Sequence, residues 1–315
     1  TATVGGLVLG AIGTLSIPAT YLLLRRMLDD DEAAFCGTSF LALCPGFILF
    51  FPMFDPAYIM LSAAMIGLWY SALRDDRVMS AVLMGAVLAI TSIITFNVLV
   101  IGLFMAGLIF VAPTGLSTSA KMRRAAKYGS IAISTCAALL VLGWITLGYD
   151  PIATFKSAWE TQHGLLKQYG SQRQYPGTIP FDLIDFALGS GWVSVPLLIF
   201  ALTPSPSTLG EGRGEGSSES ETSHELRRTP TPALPRSTRG GDKWLILLAL
   251  LQFFVVAGLG LLQLETARVW NFMLPLLMIP IGLELRRWPP LARLVPYIAL
   301  VFLTGAICQN LKWIY

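Results

Sequence analysis

Apolar residues run through this chain in long blocks separated by short polar breaks, and the length of each block is its most informative property. Crossing about 30 Å of hydrocarbon takes on the order of 20 apolar residues in a helix, somewhat fewer where the bilayer thins. The blocks that meet this requirement are Val4 to Leu24, Ala33 to Pro52, Tyr58 to Leu73, Tyr128 to Leu147, Phe181 to Leu202, Trp244 to Leu262, Trp270 to Leu285 and Leu291 to Cys308. A further run, Met79 to Val111, would reach roughly 50 Å as one helix at about 1.5 Å per residue, so it is expected to split at Thr95-Phe96-Asn97 into two short crossings. The pattern predicts an all-α polytopic membrane protein with about ten transmembrane helices.

Composition supports the class. Hydrophobic residues make up 54% of the chain and charged residues only 13%, with a mean hydropathy of +0.65; a water-soluble fold of this length carries far more charge. The net charge of +3 is uninformative as a total, because in such a chain the placement of Lys and Arg carries the signal. With Thr1 outside, the predicted cytoplasmic loops hold Arg25 and Arg26, Arg74 and Arg77, Lys121, Arg123, Arg124 and Lys127, and Arg286, Arg287 and Arg293. The other face holds Lys156, Lys167, Arg173, Arg268 and Lys312, a division of 11 against 5. Shifting the count by one span would scramble that alternation. Nothing in the composition points to nucleic acid. Cys36, Cys44, Cys136 and Cys308 lie in apolar stretches without metal-ligand spacing and behave as small hydrophobes. Thr1 opens in an apolar run without an initiator Met or basic leader, which suggests a processed or truncated start with sequence upstream.

The expected organisation is seven helices over residues 1–202, a low-complexity insert over 203–243, and three helices over 244–315. The insert strings together Thr-Pro-Ser-Pro-Ser, Gly-Glu-Gly-Arg-Gly-Glu-Gly and Thr-Pro-Thr-Pro-Ala-Leu-Pro. Such composition cannot bury enough apolar surface to offset its ordering entropy, so disorder in a cytoplasmic loop is expected; a regulatory linker is the alternative. The largest outer segment, 148–180, spaces Ile152, Phe155, Trp159 and Leu166 at near-helical intervals with Lys156, Glu160 and Gln162 between them. This predicts a helix lying in the membrane interface with Trp159 and Tyr169 at headgroup depth, or else a plain loop, since Gly164 weakens the helix.

Soluble-enzyme signatures are missing: no GxSxG, no phosphate-binding Gly-Lys-Ser/Thr and no HExxH occur, and the two histidines, His163 and His224, are far apart. Candidate chemistry therefore concentrates on acids and arginines of the outer face. Asp55 precedes Pro56, which suits a helix N-cap, and equally suits a carboxylate that binds a metal or a sugar hydroxyl or takes a proton. Glu265 and Arg268 are three apart, on one helical face, as a surface pair or as an anion site beside Trp270 and Asn271 at a helix start. Asn97 sits in the split between two spans, where irregular backbone must be buried in protein or line a wet cavity. Arg173 and Tyr175 belong to the outer segment, where a solvated loop is the default, and His163 lies in the same segment. Asp182 and Asp185 are expected to be helix-start acids.

Three islands resemble multi-spanning glycosyltransferases of the GT-C class, the group that includes protein mannosyltransferases and bacterial lipid-linked sugar transferases. They are Ala42-Leu43-Cys44-Pro45-Gly46 through Phe54-Asp55-Pro56-Ala57-Tyr58, Gly148-Tyr149-Asp150-Pro151 through Arg173-Gln174-Tyr175 to Leu183-Ile184-Asp185-Phe186, and Leu264-Glu265-Thr266-Ala267-Arg268-Val269-Trp270-Asn271-Phe272-Met273-Leu274-Pro275. The last is similar to a Glu-x-x-Arg-x-Trp-x-Phe-x-x-Pro pattern of some bacterial members. The resemblance implies a polyprenyl-phosphate sugar donor, a glycan, lipid or protein acceptor, and transfer on the periplasmic or outer face of a bacterial inner membrane. It implies no certain cofactor, with a divalent metal as an option and no metal ligands assigned. It also places Thr1 at about the family's third span, which puts the acid usually found in the first outer loop upstream, so that role is not carried over to Asp55. Within this frame Asp55 and Glu265 are the expected catalytic acids, Arg268 and Arg173 the donor-phosphate contacts, and Asn97, His163 and Tyr175 the substrate contacts. A transporter or lipid flippase is the alternative function.

Overall fold

The computed structural model describes residues 2–169, 176–203, 240–259 and 270–310. All regular elements among them are helical. In chain order these are α1 (Ala2–Thr14), α2 (Ser16–Leu28), α3 (Asp31–Leu43), the short α4 (Pro45–Ile48), α5 (Asp55–Asp75), α6 (Val78–Ile94), a 3₁₀ turn (Asn97–Ile101) leading into α7 (Gly102–Val111), α8 (Thr118–Leu147), α9 (Pro151–Tyr169), α10 (Thr178–Gly189), α11 (Ser194–Leu202), α12 (Gly240–Gly258), a second 3₁₀ turn (Trp270–Met273), α13 (Leu274–Arg287) and α14 (Leu294–Asn310). Thr3–Leu28, Asp55–Asp75 and Thr118–Leu147 are each long and apolar enough to cross a membrane, and α10 with α11 passes the same test as a bent pair. That is consistent with a helical membrane protein. The other apolar blocks form shorter helices, so helix length by itself does not give the expected ten crossings.

Local chemistry explains where the helices stop. α2 ends at Asp29, which adopts a left-handed conformation (φ 56°) and returns its N–H to the Arg25 carbonyl at 3.0 Å; Asp30 then caps α3 by accepting from the Ala33 N–H at 2.9 Å. The same left-handed device closes α5 at Asp76 (φ 59°). The long run Met79 to Val111 breaks where its length demanded. Thr95 is extended and its hydroxyl accepts from the Asn97 N–H at 3.1 Å. Across the break, Gln252 of α12, 1% exposed, accepts from the Phe104 N–H at 3.0 Å and donates to the Val100 carbonyl at 3.0 Å. Backbone freed by the break is thus satisfied from a neighbouring helix, as apolar surroundings require.

α13 is the hub. It is buried from Leu274 to Leu285 and packs on α3, α11, α12, α2 and α5. Its crossing with α3 is close enough that a Cβ at Gly37 would lie 2.7 Å from the Met278 carbonyl oxygen and one at Gly282 would lie 2.4 Å from that of Ala33. Small residues at the contact let two backbones approach, the usual device of helix packing in lipid.

One end of the bundle is a layer of ion pairs. Arg25 meets Asp31 at 2.6 Å, Arg74 meets Asp29 at 3.4 Å, Arg124 meets Asp76 at 3.6 Å and Arg293 meets Glu32 at 2.6 Å, while Arg26 pairs with Asp75 and Arg286 with Asp30. Tyr128 donates to Asp76, and this bond, ahead of the Arg124 and Lys127 charges, holds the Asp76 carboxyl below its ordinary value against a smaller desolvation effect. Residues as much as 261 positions apart therefore meet at one level, and Arg25, Arg26, Arg74, Arg124, Arg286 and Arg293, sorted to one face by the charge count, meet acids in this layer. Asp242 at the start of α12 lines a small cavity with Asp29 and Arg74, and Phe200 near the end of α11 lies 6.5 Å from Trp288, so those ends belong to the same layer.

Two expected spans are not straight. Ala33 to Pro52 stops at Leu43 and restarts at Pro45 as α4, because Pro fits a first turn but not a helix interior. Phe181 to Leu202 bends by 102° between α10 and α11. Gly191 supplies the left-handed turn (φ 81°) that a side chain would resist. Residues 151–169 form a helix, α9, that continues through Gly164 and exposes Ile152, Phe155 and Trp159. The low-complexity insert, apart from its edges, lies outside the described residues.

Candidate functional site

The end of the bundle opposite the ion-pair layer is built from interrupted helices. α5 runs from Asp75 in that layer to Asp55, roughly 30 Å away at about 1.5 Å per residue. Phe54 occupies the N-cap position, and Asp55 is the first helical residue, 3% exposed, rather than the expected cap. The Ser16 hydroxyl donates to the Pro56 carbonyl, which fixes the first turn of α5 against α2. The 3₁₀ turn Trp270–Met273, wholly buried, packs on α5, and the Asn271 amide donates to the Gly46 carbonyl at 3.1 Å.

α10 closes this arrangement. Thr178, Asp182, Phe186 and Gly189 form its buried stripe, at the i, i+4 and i+3 spacing of one helix face. The Phe186 ring lies 5.6 Å from Trp270 and 4.9 Å from Phe253. Asp182, one turn before Phe186, is 0% exposed. At the bend after α10 the Cys44 thiol donates to the Ser190 carbonyl at 3.1 Å and the Ser190 and Ser194 hydroxyls are 3.0 Å apart. A Cβ at Gly46 would stand 2.8 Å from the Gly189 carbonyl oxygen and 2.9 Å from the Asn271 side-chain oxygen, so this meeting point needs glycine. Three helix interruptions thus converge, at Cys44–Pro45, at Ser190–Val193 and at Trp270–Met273.

The chemistry of this end is unlike that of the other. Two carboxyl side chains, Asp55 in the first turn of α5 and Asp182 in the second turn of α10, are buried, where a charge is costly to hold and in membrane proteins marks function by default. Trp270 Nε1 and Asn271 Oδ1 are buried without a hydrogen-bond partner among the described residues, which leaves a donor and an acceptor with capacity to spare. Aromatic rings of Phe186, Phe253 and Trp270 line the same place. Carboxylates and an indole N–H beside aromatic faces can hold hydroxyl-bearing groups and receive a proton.

Of the residues singled out by sequence, Asp55 is buried at the start of α5, the helix on which the Trp270–Met273 turn packs. Asn97 is half-buried at the break before α7 and contributes its backbone; the polar side chains that satisfy the break are Thr95 and Gln252. His163 is exposed on α9, its Nδ1 2.9 Å from the Trp159 carbonyl oxygen and its ring 4.4 Å from the Trp159 ring. α9 reaches the Asn97 break through Phe155, 5.0 Å edge-on from Phe96, so Asn97 and His163 are linked by an aromatic ladder rather than placed beside Asp55. Glu265, Arg268, Arg173 and Tyr175 lie outside the described residues, although Trp270 and Asn271, which follow Glu265 and Arg268 in the same island, fall inside the site. No group of three His, Cys, Asp or Glu able to hold a metal ion occurs among the described residues.

Sequence reasoning undervalued Asp182 and overlooked Gln252. Asp182 was expected at a helix start, but α10 begins at Thr178, so Asp182 falls in the second turn and on the buried face. Its spacing of four from both Thr178 and Phe186 was the available signal. Gln252 had a plainer one, as a lone amide inside the apolar block Trp244 to Leu262.

Fold and site together define an all-helical protein with helices long and apolar enough to cross a membrane and a buried acidic site among broken helices. No protein-family model, curated protein or solved structure matches the chain.

Proposed function

We propose that this chain is an integral membrane glycosyltransferase that moves a sugar from a polyprenyl-phosphate donor to a glycan, lipid or protein acceptor, on the non-cytoplasmic face and away from the ion-pair layer. The observation that carries the reading is that Asp55, in the first turn of α5, and Asp182, one turn before the Phe186 ring that meets Trp270, are both buried at the interrupted end of the bundle. The likeness of Leu264 to Pro275 to a GT-C pattern supports it and supplies the donor class. In the reaction the acceptor hydroxyl attacks the anomeric carbon, its proton passes to the buried Asp182 carboxylate, the bond from that carbon to the phosphate oxygen breaks, and polyprenyl phosphate leaves. The protein's tasks are to orient the hydroxyl, take its proton and stabilise the departing phosphate. Arg268, with Arg173, takes the phosphate; Glu265 orients Arg268 or a sugar hydroxyl; Asp55 receives the acceptor or an optional divalent metal. Asn97, His163 and Tyr175 contact substrate from the outer segments. A bacterial inner membrane with the site on its periplasmic or outer face is the setting this reading implies.

The test is transfer from a polyprenyl-phosphate sugar by the full chain and by Arg268→Ala and Asp55→Asn variants at matched expression. Loss of product in both supports the assignment, and retention in both sinks it. A transporter or flippase is the second reading, favoured by the convergence of three interrupted helices, the usual construction of transporter substrate sites. Equilibration of a lipid-linked sugar across vesicles without product would select that reading instead.

A further inference from the structure

The ion-pair layer contains a cleft that the proposed reaction does not use. It holds about 420 Å³ and is lined by Leu22, Arg25, Arg26, Asp29 and Asp31, from the last turns of α2 and the first residue of α3. Its rim is open at the periphery of the bundle: the Arg25 and Asp31 side chains are 56% and 66% exposed. Arg25 meets Asp31 through Nε, which leaves its other guanidinium donors. Arg26 pairs with Asp75 through a terminal nitrogen, and its Nε is buried with no hydrogen-bond partner among the described residues.

Below this polar mouth the same two helices present an apolar shelf. Leu22, one turn before Arg25 and Arg26, is 60% exposed, and Phe35, one turn after Asp31, is 64% exposed. Charged groups at a membrane boundary above an outward-facing apolar track match the shape of a phospholipid, with headgroup in the cleft and acyl chain along Leu22 and Phe35. The lining charges decide which headgroup. Two guanidiniums and two carboxylates sum to zero, so an anionic headgroup gains from the arginines and loses to the acids. A zwitterion satisfies both sets. Charge-assisted hydrogen bonding to a carboxylate further requires N–H donors, which a primary ammonium has and a quaternary ammonium lacks.

We propose that the α2–α3 cleft binds a phospholipid with a phosphoethanolamine headgroup, its phosphate at Arg25 and Arg26 and its ammonium at Asp31. This rests on the membrane reading of the chain and is independent of the glycosyltransferase proposal.

The test takes the full chain, purified in mild detergent, and incubates it with phosphatidylethanolamine, phosphatidylcholine or phosphatidylglycerol of identical acyl chains, counting retained lipid by native mass spectrometry. Phosphatidylethanolamine is expected to bind about tenfold more tightly than either competitor, the scale of one charge-assisted hydrogen bond. Asp31→Asn should erase its advantage over phosphatidylcholine, and Arg25→Gln should weaken both. The exposure of both side chains makes these substitutions safe for the fold. Equal or tighter binding of phosphatidylglycerol by the wild type overturns the proposal, as does an ethanolamine preference that survives Asp31→Asn or retention unchanged by Arg25→Gln. The last result is what a self-contained ion-pair network would give.

Discussion

Gly282→Ala tests whether the α3–α13 crossing holds the bundle together. The added Cβ would stand 2.4 Å from the Ala33 carbonyl oxygen, with the Ala33 carbonyl carbon at 3.3 Å and the Gly37 nitrogen at 3.3 Å. An ordinary carbon–oxygen contact is about 3.3–3.6 Å, so the helices must part by roughly 1 Å. The obstructing atoms are backbone and cannot swing aside as a side chain tip can. Moreover α13 is buried on every side, so retreat from α3 drives it into α11 and α12. Overpacking of this kind costs about 1–3 kcal/mol, and the gain in helix propensity from Gly to Ala, about 1 kcal/mol, offsets only part of it. Gly143→Ala in α8 is the control, because a Cβ there meets nothing within 4 Å; it should be neutral or stabilising. Thermal unfolding in detergent, followed by labelling of the buried thiols of Cys36 and Cys44, reads both. If Gly282→Ala unfolds with Gly143→Ala and the wild type, the close crossing contributes nothing and the account of α13 as hub is wrong.

Other predictions concern polar groups. Gln252→Leu strands a buried N–H at Phe104 and a buried carbonyl at Val100, each costing about 1–3 kcal/mol when left unmade, so the midpoint in the same unfolding assay should fall further than for Gly282→Ala. Asp182→Asn, which keeps side-chain volume and removes the carboxylate, should abolish transfer from the lipid-linked sugar at matched amounts of folded protein; full activity in this variant would remove Asp182 from the site. Because the folded Asp76 carboxyl is held below its ordinary value, chiefly by Tyr128, its contribution to stability is complete above the unfolded carboxylate value of about 3.9 and disappears as pH falls through the lower folded value. Tyr128→Phe should flatten that acid dependence, and an unchanged pH profile would refute the coupling.

Much of the architecture was legible because membrane-spanning segments obey length and charge rules. Residues Met79 to Val111 were too long for one crossing, and the chain does break at Thr95. Arginines fell in alternate loops, and Arg26, Arg74, Arg124, Arg286 and Arg293 do share one layer. Hydropathy, however, is blind to direction. The block Phe181 to Leu202 stays apolar through its 102° bend, and only Gly-Ser-Gly at 189–191 hinted at it. The same boundary, set at Phe181 by hydropathy, disguised Asp182 as a helix-start acid. Pairing partners were hidden for another reason. Asp29, Asp30, Asp31 and Glu32 sit in one turn, and which arginine each meets depends on helices as much as 261 positions away, a distance at which no local pattern operates.

The two ends of the bundle use polar residues in opposite ways, and that contrast bears on the choice between transfer and transport. At the ion-pair end the acids meet arginines from neighbouring helices, so the helix ends are tied to one another. At the other end α4, the α10–α11 bend and the 3₁₀ turn before α13 meet through hydrogen bonds from Asn271 to Gly46 and from Cys44 to Ser190, the close approach of Gly46 to Gly189 and the Phe186–Trp270 ring contact. Glycosyl transfer requires that end to hold a donor and an acceptor in register, whereas transport also requires the tied end to open. Opening there would separate Arg26 from Asp75, Arg286 from Asp30 and Arg293 from Glu32 together, and the partly buried Arg286–Asp30 pair, 20% and 16% exposed, is the kind whose separation is most costly. On this argument the ion-pair layer favours chemistry at one face over passage between two.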